Sequence, residues 1–127
     1  GLAIIDKRRP TPGKSQVMNV VGNVKGKTCI IVDDIIDSGG TIVNAAAALI
    51  NRGAKEVNVY VTHGVLSGEA VEKIKKSKIK NLVVTDTIDN SDKVKKSRNI
   101  EVLSISNLLA EAMKRISNST SVSDLFK

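Results

Sequence analysis

The chain has 127 residues, enough for one domain with a buried core and too few for two, so we expect residues 1–127 to form a single domain. Its formal net charge of +7 favours an anionic ligand, and an aromatic content of 2% requires an aliphatic core. No apolar run approaches the roughly 18 residues of a membrane-spanning helix, and no signal-peptide pattern opens the chain. Cys29, the one cysteine, is interpreted as a buried apolar side chain, so the sequence predicts a cytoplasmic protein without disulfides and without a membrane partner.

The beginning of the chain predicts a strand followed by a loop. Residues 1–5 are an apolar run typical of a strand, and two prolines and a glycine within residues 10–13 prevent regular structure after it. We therefore expect a flexible loop over residues 6–16, followed by a short edge strand within residues 16–24. The three cations of residues 7–9 can close over a polyphosphate from such a loop and stabilise its charge. The alternative is a solvated basic turn.

Residues 28–41 are the stretch around which we expect the rest of the fold to be organised. Its first half is an apolar, β-branched run, which predicts a buried parallel strand. The run stops at two adjacent carboxylates, Asp33 and Asp34, and a turn with two glycines follows. That turn is predicted to open a helix.

The turn before this helix has the features of an anion site. Ser38 can cap the helix, and Gly39 and Gly40 have no side chains to block a ligand, so backbone N–H groups can converge on a phosphate. Asp33 and Asp34 lie a few residues earlier, where carboxylates can bind vicinal hydroxyls or a phosphate-bound Mg²⁺. The pattern therefore predicts a phosphorylated sugar as the ligand.

The middle of the chain predicts parallel strands that alternate with helices. Residues 42–51 have a helical period, residues 57–62 form the next strand, and residues 82–85 form another. A β-α-β unit of this spacing implies parallel pairing, and ligands bind at the carboxyl ends of parallel strands. The helical stripe is expected to consist of Val43, Ala46, Ala47 and Ile50. The residues expected to share the ligand-binding rim are Asp33, Asp34, His63 and Asp86.

Other polar residues in this region favour structural roles. His63 has no second histidine and no carboxylate at ligand spacing on its own element, so we expect it to orient its neighbours. Ser67 is predicted to cap a helix over residues 69–76. A lysine cluster follows, without aromatic side chains that could stack on bases, so we expect a solvated surface and no nucleic-acid partner. The lysines of this cluster are Lys73, Lys75, Lys76, Lys78 and Lys80.

The end of the chain predicts a last strand over residues 100–105 and an amphipathic helix after it. The apolar stripe of this helix is expected to pack on the sheet, and Leu125 and Phe126 to leave an apolar patch suited to oligomer contacts. The stripe consists of Ile105, Leu108, Leu109, Ala112, Met113 and Ile116. The predicted fold class is α/β, with a mostly parallel sheet flanked by helices.

Residues 31–41, Ile-Val-Asp-Asp-Ile-Ile-Asp-Ser-Gly-Gly-Thr, resemble the ribose 5-phosphate loop of type I phosphoribosyltransferases and their relatives. Residues 3–10 and 62–68 are similar to the ribose-phosphate pyrophosphokinases, also called phosphoribosyl pyrophosphate synthetases. The similarity continues through residues 83–88 to residues 121–126, so the chain resembles most of the second of that family's two α/β domains. Ser38-Gly39 departs from the commoner Thr-Ala or Thr-Gly but keeps a hydroxyl and small size.

The resemblance implies a phosphoribosyltransferase-like fold and transfer of the diphosphoryl group of ATP to ribose 5-phosphate, giving 5-phosphoribosyl 1-diphosphate and AMP. It implies Mg²⁺ as cofactor, a homo-oligomer (a hexamer in the family), and Lys7 and Arg9 as catalytic cations. Asp33 and Asp34 would bind the ribose hydroxyls and their Mg²⁺. The residues that would bind the 5-phosphate are Asp37, Ser38, Gly39, Gly40 and Thr41.

Two other functions are considered. A phosphoribosyltransferase shares the central loop but leaves residues 7–9 and 63–64 without a role. A non-catalytic regulatory homologue would be favoured by altered loop cations, whereas Lys7 and Arg9 are present. The resemblance also places most ATP contacts and a metal-binding histidine upstream of Gly1, so this chain alone is expected to be inactive.

Overall fold

The computed structural model describes residues 1–8 and 17–127, with the side chains of Lys7, Arg8 and Val17 left aside. Strands and helices alternate through most of this length. The strands are β1 (Ile4–Arg8), β2 (Val17–Val21), β3 (Thr28–Ile36), β4 (Glu56–Gly64), β5 (Asn81–Thr85) and β6 (Ile100–Leu103). The helices are α1 (Gly40–Asn51), α2 (Ala70–Lys75), α3 (Ser91–Val94) and α4 (Ser106–Ser117), with a 3₁₀ turn at Ser123–Phe126.

Strands β3 to β6 form a four-stranded sheet in the order β3-β4-β5-β6, and every pair is parallel. Each strand is the neighbour of the next one in the sequence, with one of α1, α2 and α3 in each connection. The predicted α/β class with a mostly parallel sheet is confirmed. Because the strands are parallel, their carboxyl ends lie along one rim.

The first two strands form a separate antiparallel pair, with Ile4 opposite Val21 and Arg8 opposite Val17. The predicted loop over residues 6–16 is therefore wrong at its start, because residues 6–8 belong to β1. Polar residues can continue a strand when the partner strand satisfies their backbone groups. The rest of that predicted loop, residues 9–16, lies outside the described residues.

The core lies on the face of the sheet that α1 covers. The buried residues of α1 are Ile42, Ala45, Ala46 and Leu49. Three of them, Ile42, Ala46 and Leu49, share the hydrophobic core with the buried valines of β4 and with Leu82 and Val84 of β5. The spacing i, i+3, i+4, i+7 was predicted correctly, but the buried stripe lies one residue earlier, and Val43 and Ile50 are half-buried. Because α1 is apolar on more than one side, its periodicity alone did not determine which side faces the sheet.

Strand β3 is an edge strand, which corrects the prediction of a fully buried one. Among the described residues it pairs with β4 alone, and on one of its faces Ile30 is 60% exposed and Val32 is 77% exposed. Cys29, on the other face, is half-buried instead of buried. A run of β-branched residues indicates an apolar strand, but it does not indicate which elements cover that strand.

Helix α4 does not pack on the sheet as predicted. Every residue of this helix is described and none is buried, and Met113 is 65% exposed. The predicted stripe has the correct helical spacing, but no described element covers it. Phe126 is also exposed, as expected. Within the described part of the chain, no helix is long and apolar enough to cross a bilayer.

Candidate functional site

The turn between β3 and α1 leaves the first backbone N–H groups of α1 without a side-chain cap. Helix α1 begins at Gly40, two residues before the predicted start, and Gly39 precedes it with φ +77° and ψ −9°. No side chain caps the helix, so the prediction that Ser38 does so is wrong. The N–H groups of the first helical turn have no intrahelical acceptor, which makes this end of α1 suitable for an anion.

The predicted ligand residues line a common cleft of about 230 Å³. Its walls come from the last residues of β3, the turn, and the first residues of α1. The predicted site residues that line it are Asp33, Asp37, Ser38, Gly39, Gly40 and Thr41. The structure thus brings six of the seven predicted ligand residues together, and the identity of their ligand stays a prediction.

Asp34 is the predicted ligand residue that does not line the cleft. The two carboxylates were expected just after β3, but β3 continues to Ile36, so both residues lie inside the strand, with Asp33 opposite Val61. Successive side chains of a strand point to opposite faces, so the two carboxylates cannot both face one ligand. The backbone N–H of Asp34 donates to Oδ1 of Asp33 at 2.9 Å, which orients the Asp33 carboxylate.

The other rim residues have structural partners. His63, opposite Ile35 in the sheet, has Nδ1 2.9 Å from Oγ1 of Thr87. This contact agrees with the expected orienting role. Asp86 follows β5 as predicted, but it accepts a hydrogen bond from the backbone N–H of Ile105 at 2.9 Å. It therefore fixes the connection between β6 and α4.

The hydrogen bonds of Asp86 favour its charged form. The Ser104 side chain, and next the backbone N–H of Ile105, lower the pKa of Asp86 below its ordinary value of 3.8. Its carboxylate is thus used to hold the start of α4.

Sequence reasoning missed the support behind the turn. The backbone N–H groups of Val65 and Leu66 donate to the Ile36 carbonyl, and that of Ser67 donates to the Asp37 carbonyl. Ser67 was predicted to cap α2, but α2 begins at Ala70 after Glu69, with no side-chain cap. Nothing in the sequence of residues 62–68 indicates these bonds, because backbone donors leave no pattern in side chains.

The predicted catalytic cations are only partly described. The backbone of Lys7 lies in β1, while its side chain and the whole of Arg9 lie outside the described residues. Within the described residues, no group of three or more histidine, cysteine or acidic side chains is placed to hold a metal ion.

Comparison with known proteins assigns the chain to a family. The family model described as "Phosphoribosyl synthetase-associated domain" matches residues 4–127, so the chain belongs to this family, which confirms the predicted relationship.

The similar proteins are substantially longer than this chain. Ribose-phosphate pyrophosphokinase from Hyphomonas neptunium is 62% identical over 125 residues, which are 98% of this chain and 40% of that protein. The protein of the same name from Bradyrhizobium diazoefficiens is 58% identical, with 98% of this chain and 39% of that protein covered. A crystal structure of phosphoribosylpyrophosphate synthetase from Mycobacterium smegmatis superposes with a TM-score of 0.80 at 40% identity, over 92% of this chain and 37% of that one. The chain therefore spans about 40% of the length of the curated relatives it matches.

The role of Asp86 predicts a pH-dependent loss of stability on substitution. Because its folded-state pKa is lowered, the charged form contributes stability that is present above pH 3.8 and is lost as the pH falls through the folded-state pKa. Asp86→Asn should therefore lower the free energy of unfolding most above about pH 5, and its effect should shrink below pH 3.8. Urea unfolding across this range measures the difference.

The matched control is Asp92→Asn, since the Asp92 side chain is 91% exposed and pairs with Lys95, three residues later in the chain. Its effect should stay within about 0.5 kcal/mol at every pH. A loss of stability in Asp86→Asn that stays constant down to pH 3 would contradict the proposed role of the Asp86 charge.

Proposed function

We propose that the chain is the C-terminal part of a ribose-phosphate pyrophosphokinase and that it binds ribose 5-phosphate in the cleft between β3 and α1. The observation that carries this proposal is the cleft itself, where Asp33 and the turn of residues 37–41 meet at the uncapped N-terminus of α1. Membership of the phosphoribosyl synthetase-associated family supports the same ligand class.

In the proposed complex the phosphate and the sugar ring of the ligand contact different groups of the protein. The 5-phosphate accepts hydrogen bonds from backbone N–H groups at the start of α1, where the helix dipole favours negative charge. The Asp33 carboxylate accepts hydrogen bonds from ribose hydroxyls, and such charge-assisted bonds orient the ring. Asp34 supports Asp33 through its backbone N–H.

The proposed reaction is transfer of a diphosphoryl group from ATP. The 1-hydroxyl oxygen of ribose 5-phosphate bonds to the β-phosphorus of ATP, and the bond from that phosphorus to the oxygen of AMP breaks. AMP leaves with the bridging oxygen, the hydroxyl proton is released, and 5-phosphoribosyl 1-diphosphate remains. Catalysis of such a step depends on positioning and on stabilisation of charge, so no protein nucleophile is required.

Mg²⁺ is the proposed cofactor, and this chain has a carboxylate in the cleft that could bind it. Mg²⁺ keeps several waters and is usually held by one or two carboxylates together with substrate phosphates. Asp33 is exposed and lines the cleft, so its carboxylate can supply one or two oxygens to an ion held mainly by the substrates, whereas Asp34 points to the opposite face of β3. When bound, Mg²⁺ would neutralise charge on the diphosphoryl group. Lys7 and Arg9 are proposed to stabilise the same charge from the protein side.

The proposal extends to the whole protein of which this chain is a part. ATP would contact mainly the roughly 60% of the relatives' length that this chain does not span, so the chain alone is expected to make no product. We expect a cytoplasmic homo-oligomer, a hexamer by family resemblance, without nucleic-acid or membrane partners. The exposed apolar residues of β3 and α4 are suited to contacts with the rest of such a protein.

Two observations favour the pyrophosphokinase over the alternatives. The similar curated proteins are named as pyrophosphokinases, and the similar crystal structure is a synthetase, which disfavours a phosphoribosyltransferase. A non-catalytic homologue would bind the sugar phosphate without supporting turnover. Kinetics of the loop cations distinguish it.

Calorimetric titration of this chain tests the proposed ligand. Ribose 5-phosphate should bind, and ribose without its phosphate should bind far more weakly, because the turn after β3 is the main anchor. Asp33→Asn should weaken binding of ribose 5-phosphate by about 1.5–3 kcal/mol, since a charge-assisted hydrogen bond is lost. The matched control Asp34→Asn should stay within about 0.5 kcal/mol of the wild type. Equal affinity for ribose and ribose 5-phosphate would refute the proposed site.

Lys7→Ala and Arg9→Ala test the proposed catalytic role in a full-length setting. The protein for this test is the Hyphomonas neptunium relative with its matching segment replaced by this chain. Each substitution should lower kcat by on the order of 10²–10³, because one preorganised charge stabiliser is lost. The free energy of unfolding and the binding free energy of ribose 5-phosphate should each change by less than about 0.5 kcal/mol.

Lys78→Ala, at an exposed lysine between α2 and β5, is the control and should leave kcat unchanged. If Lys7→Ala and Arg9→Ala retained wild-type kcat and lost only sugar affinity, both residues would be binding groups and not catalysts. An inactive parent chimaera with intact sugar binding would favour the non-catalytic homologue.

A further inference from the structure

Three consecutive carbonyl groups, from the last residue of β3 into the turn, accept hydrogen bonds from the segment after β4 and from α2. The Ile36 carbonyl accepts hydrogen bonds from the backbone N–H groups of Val65 at 2.9 Å and Leu66 at 3.2 Å. The Asp37 carbonyl accepts one from the N–H of Ser67 at 3.2 Å. The Ser38 carbonyl lies 3.5 Å from Nζ of Lys73, a long hydrogen bond from α2. We call residues 64–67 the brace, because residues 65–67 supply these backbone donors and Gly64 joins them to β4.

These bonds control the direction of the donors in the proposed phosphate site. A peptide unit is planar and trans, so its C=O and the N–H of the next residue point in opposite directions. Fixing the carbonyls of residues 36–38 therefore fixes the N–H groups of residues 37–39 on the side away from the brace. Gly39 continues this path into α1 with a left-handed φ. The brace thus determines how the turn presents its donors.

The brace adopts a conformation that its own sequence does not favour. Leu66 has a φ of +49°, in the left-handed region that is unfavourable for a bulky side chain, and it is only 1% exposed. At Gly64, an added Cβ would lie 3.1 Å from Val84 and 3.3 Å from Nδ2 of Asn90. Such a conformation persists only where surrounding contacts enforce it.

The enforcing contacts come from α3 and the residue before it. Among the described side chains, Asn90 is the one polar residue in the core, 2% exposed, and its Nδ2 donates to the Gly64 carbonyl at 2.5 Å. Lys93 donates from Nζ to the Val65 carbonyl at 3.0 Å and approaches the Leu66 carbonyl at 3.4 Å. The carbonyls of residues 64–66 are therefore bound by Asn90 and Lys93, while the N–H groups of residues 65–67 bind the carbonyls of Ile36 and Asp37.

We propose that Lys93 and Lys73 are positioning residues for the phosphate site. Lys93 holds the brace in the conformation that presents its N–H groups to residues 36 and 37, and Lys73 holds the Ser38 carbonyl directly. This inference rests on the proposed function, because it assigns a role in binding at the same cleft.

The test compares lysine-to-methionine variants of this chain, which keep side-chain length and remove the donor. Lys93→Met and Lys73→Met should each weaken binding of ribose 5-phosphate by about three- to tenfold, which is the range expected for the net loss of one ordinary hydrogen bond. Lys93→Arg and Lys73→Arg should restore most of the affinity. The matched controls Lys96→Met, just after α3, and Lys76→Met, just after α2, remove the same charge nearby and should bind as the wild type does.

A second readout separates this inference from the proposed function. In the protein without ligand, Lys93→Met should shift the backbone amide resonances of residues 37–39, and Lys96→Met should not, because only Lys93 acts through the brace. Wild-type chain that fails to bind ribose 5-phosphate refutes the proposed function, and the amide shifts still test the brace. Unchanged amide shifts and unchanged affinity in Lys93→Met, or equal losses in the two control variants, would overturn the inference.

Discussion

The structure depends on one backbone conformation, the left-handed Gly39 between β3 and α1. A Cβ at this position would have ordinary contact distances, with Ile74 Cγ1 at 3.7 Å, so glycine is required by φ and not by space. Another residue would pay about 1–2 kcal/mol for this φ. The conformation reverses the chain within a few residues, directs α1 back over the sheet, and exposes the first N–H groups of the helix. Fold and candidate site therefore follow from the same turn.

Much of this arrangement could be predicted from the sequence because it depends on patterns of neighbouring residues. Apolar β-branched runs mark β3, β4 and β5, and the glycines after Asp37 mark the turn. Parallel pairing follows from a strand-helix-strand spacing, and it places the carboxyl ends of the strands on one rim. Six of the seven residues selected as ligand contacts line the same cleft.

The failures have a common physical origin, since each concerns a partner that the local sequence does not record. The apolar run of β3 and the stripe of α4 indicate burial, but the covering surface is not among the described residues. The end of β3 could not be located because Ile35 and Ile36 continue a strand as readily as they end one. The prediction therefore put both carboxylates after the strand, where both could bind the ribose, although Asp33 and Asp34 lie inside β3 and point to opposite faces. The backbone donors of residues 65–67 have no signature in side chains at all.

The basic character of the chain also allows a rival anion site. Four cations line a second cleft of about 570 Å³ near the amino ends of β5 and β6, and they are Lys75, Lys80, Lys96 and Arg98. Two of these lysines are already paired, Lys80 with Glu56 and Lys75 with Glu72, and exposed charges of this kind bind weakly in salt. At the β3–α1 turn, by contrast, donors are fixed by the backbone. Preorganised donors, more than net charge, determine where a phosphate binds.

The most direct measurement is a two-dimensional amide NMR titration of the chain with ribose 5-phosphate at physiological ionic strength. If the turn binds the phosphate, the largest saturable shifts fall on the backbone amides of residues 38–41. If they fall on the basic cleft around Lys96 and Arg98 instead, the turn between β3 and α1 is not the phosphate site.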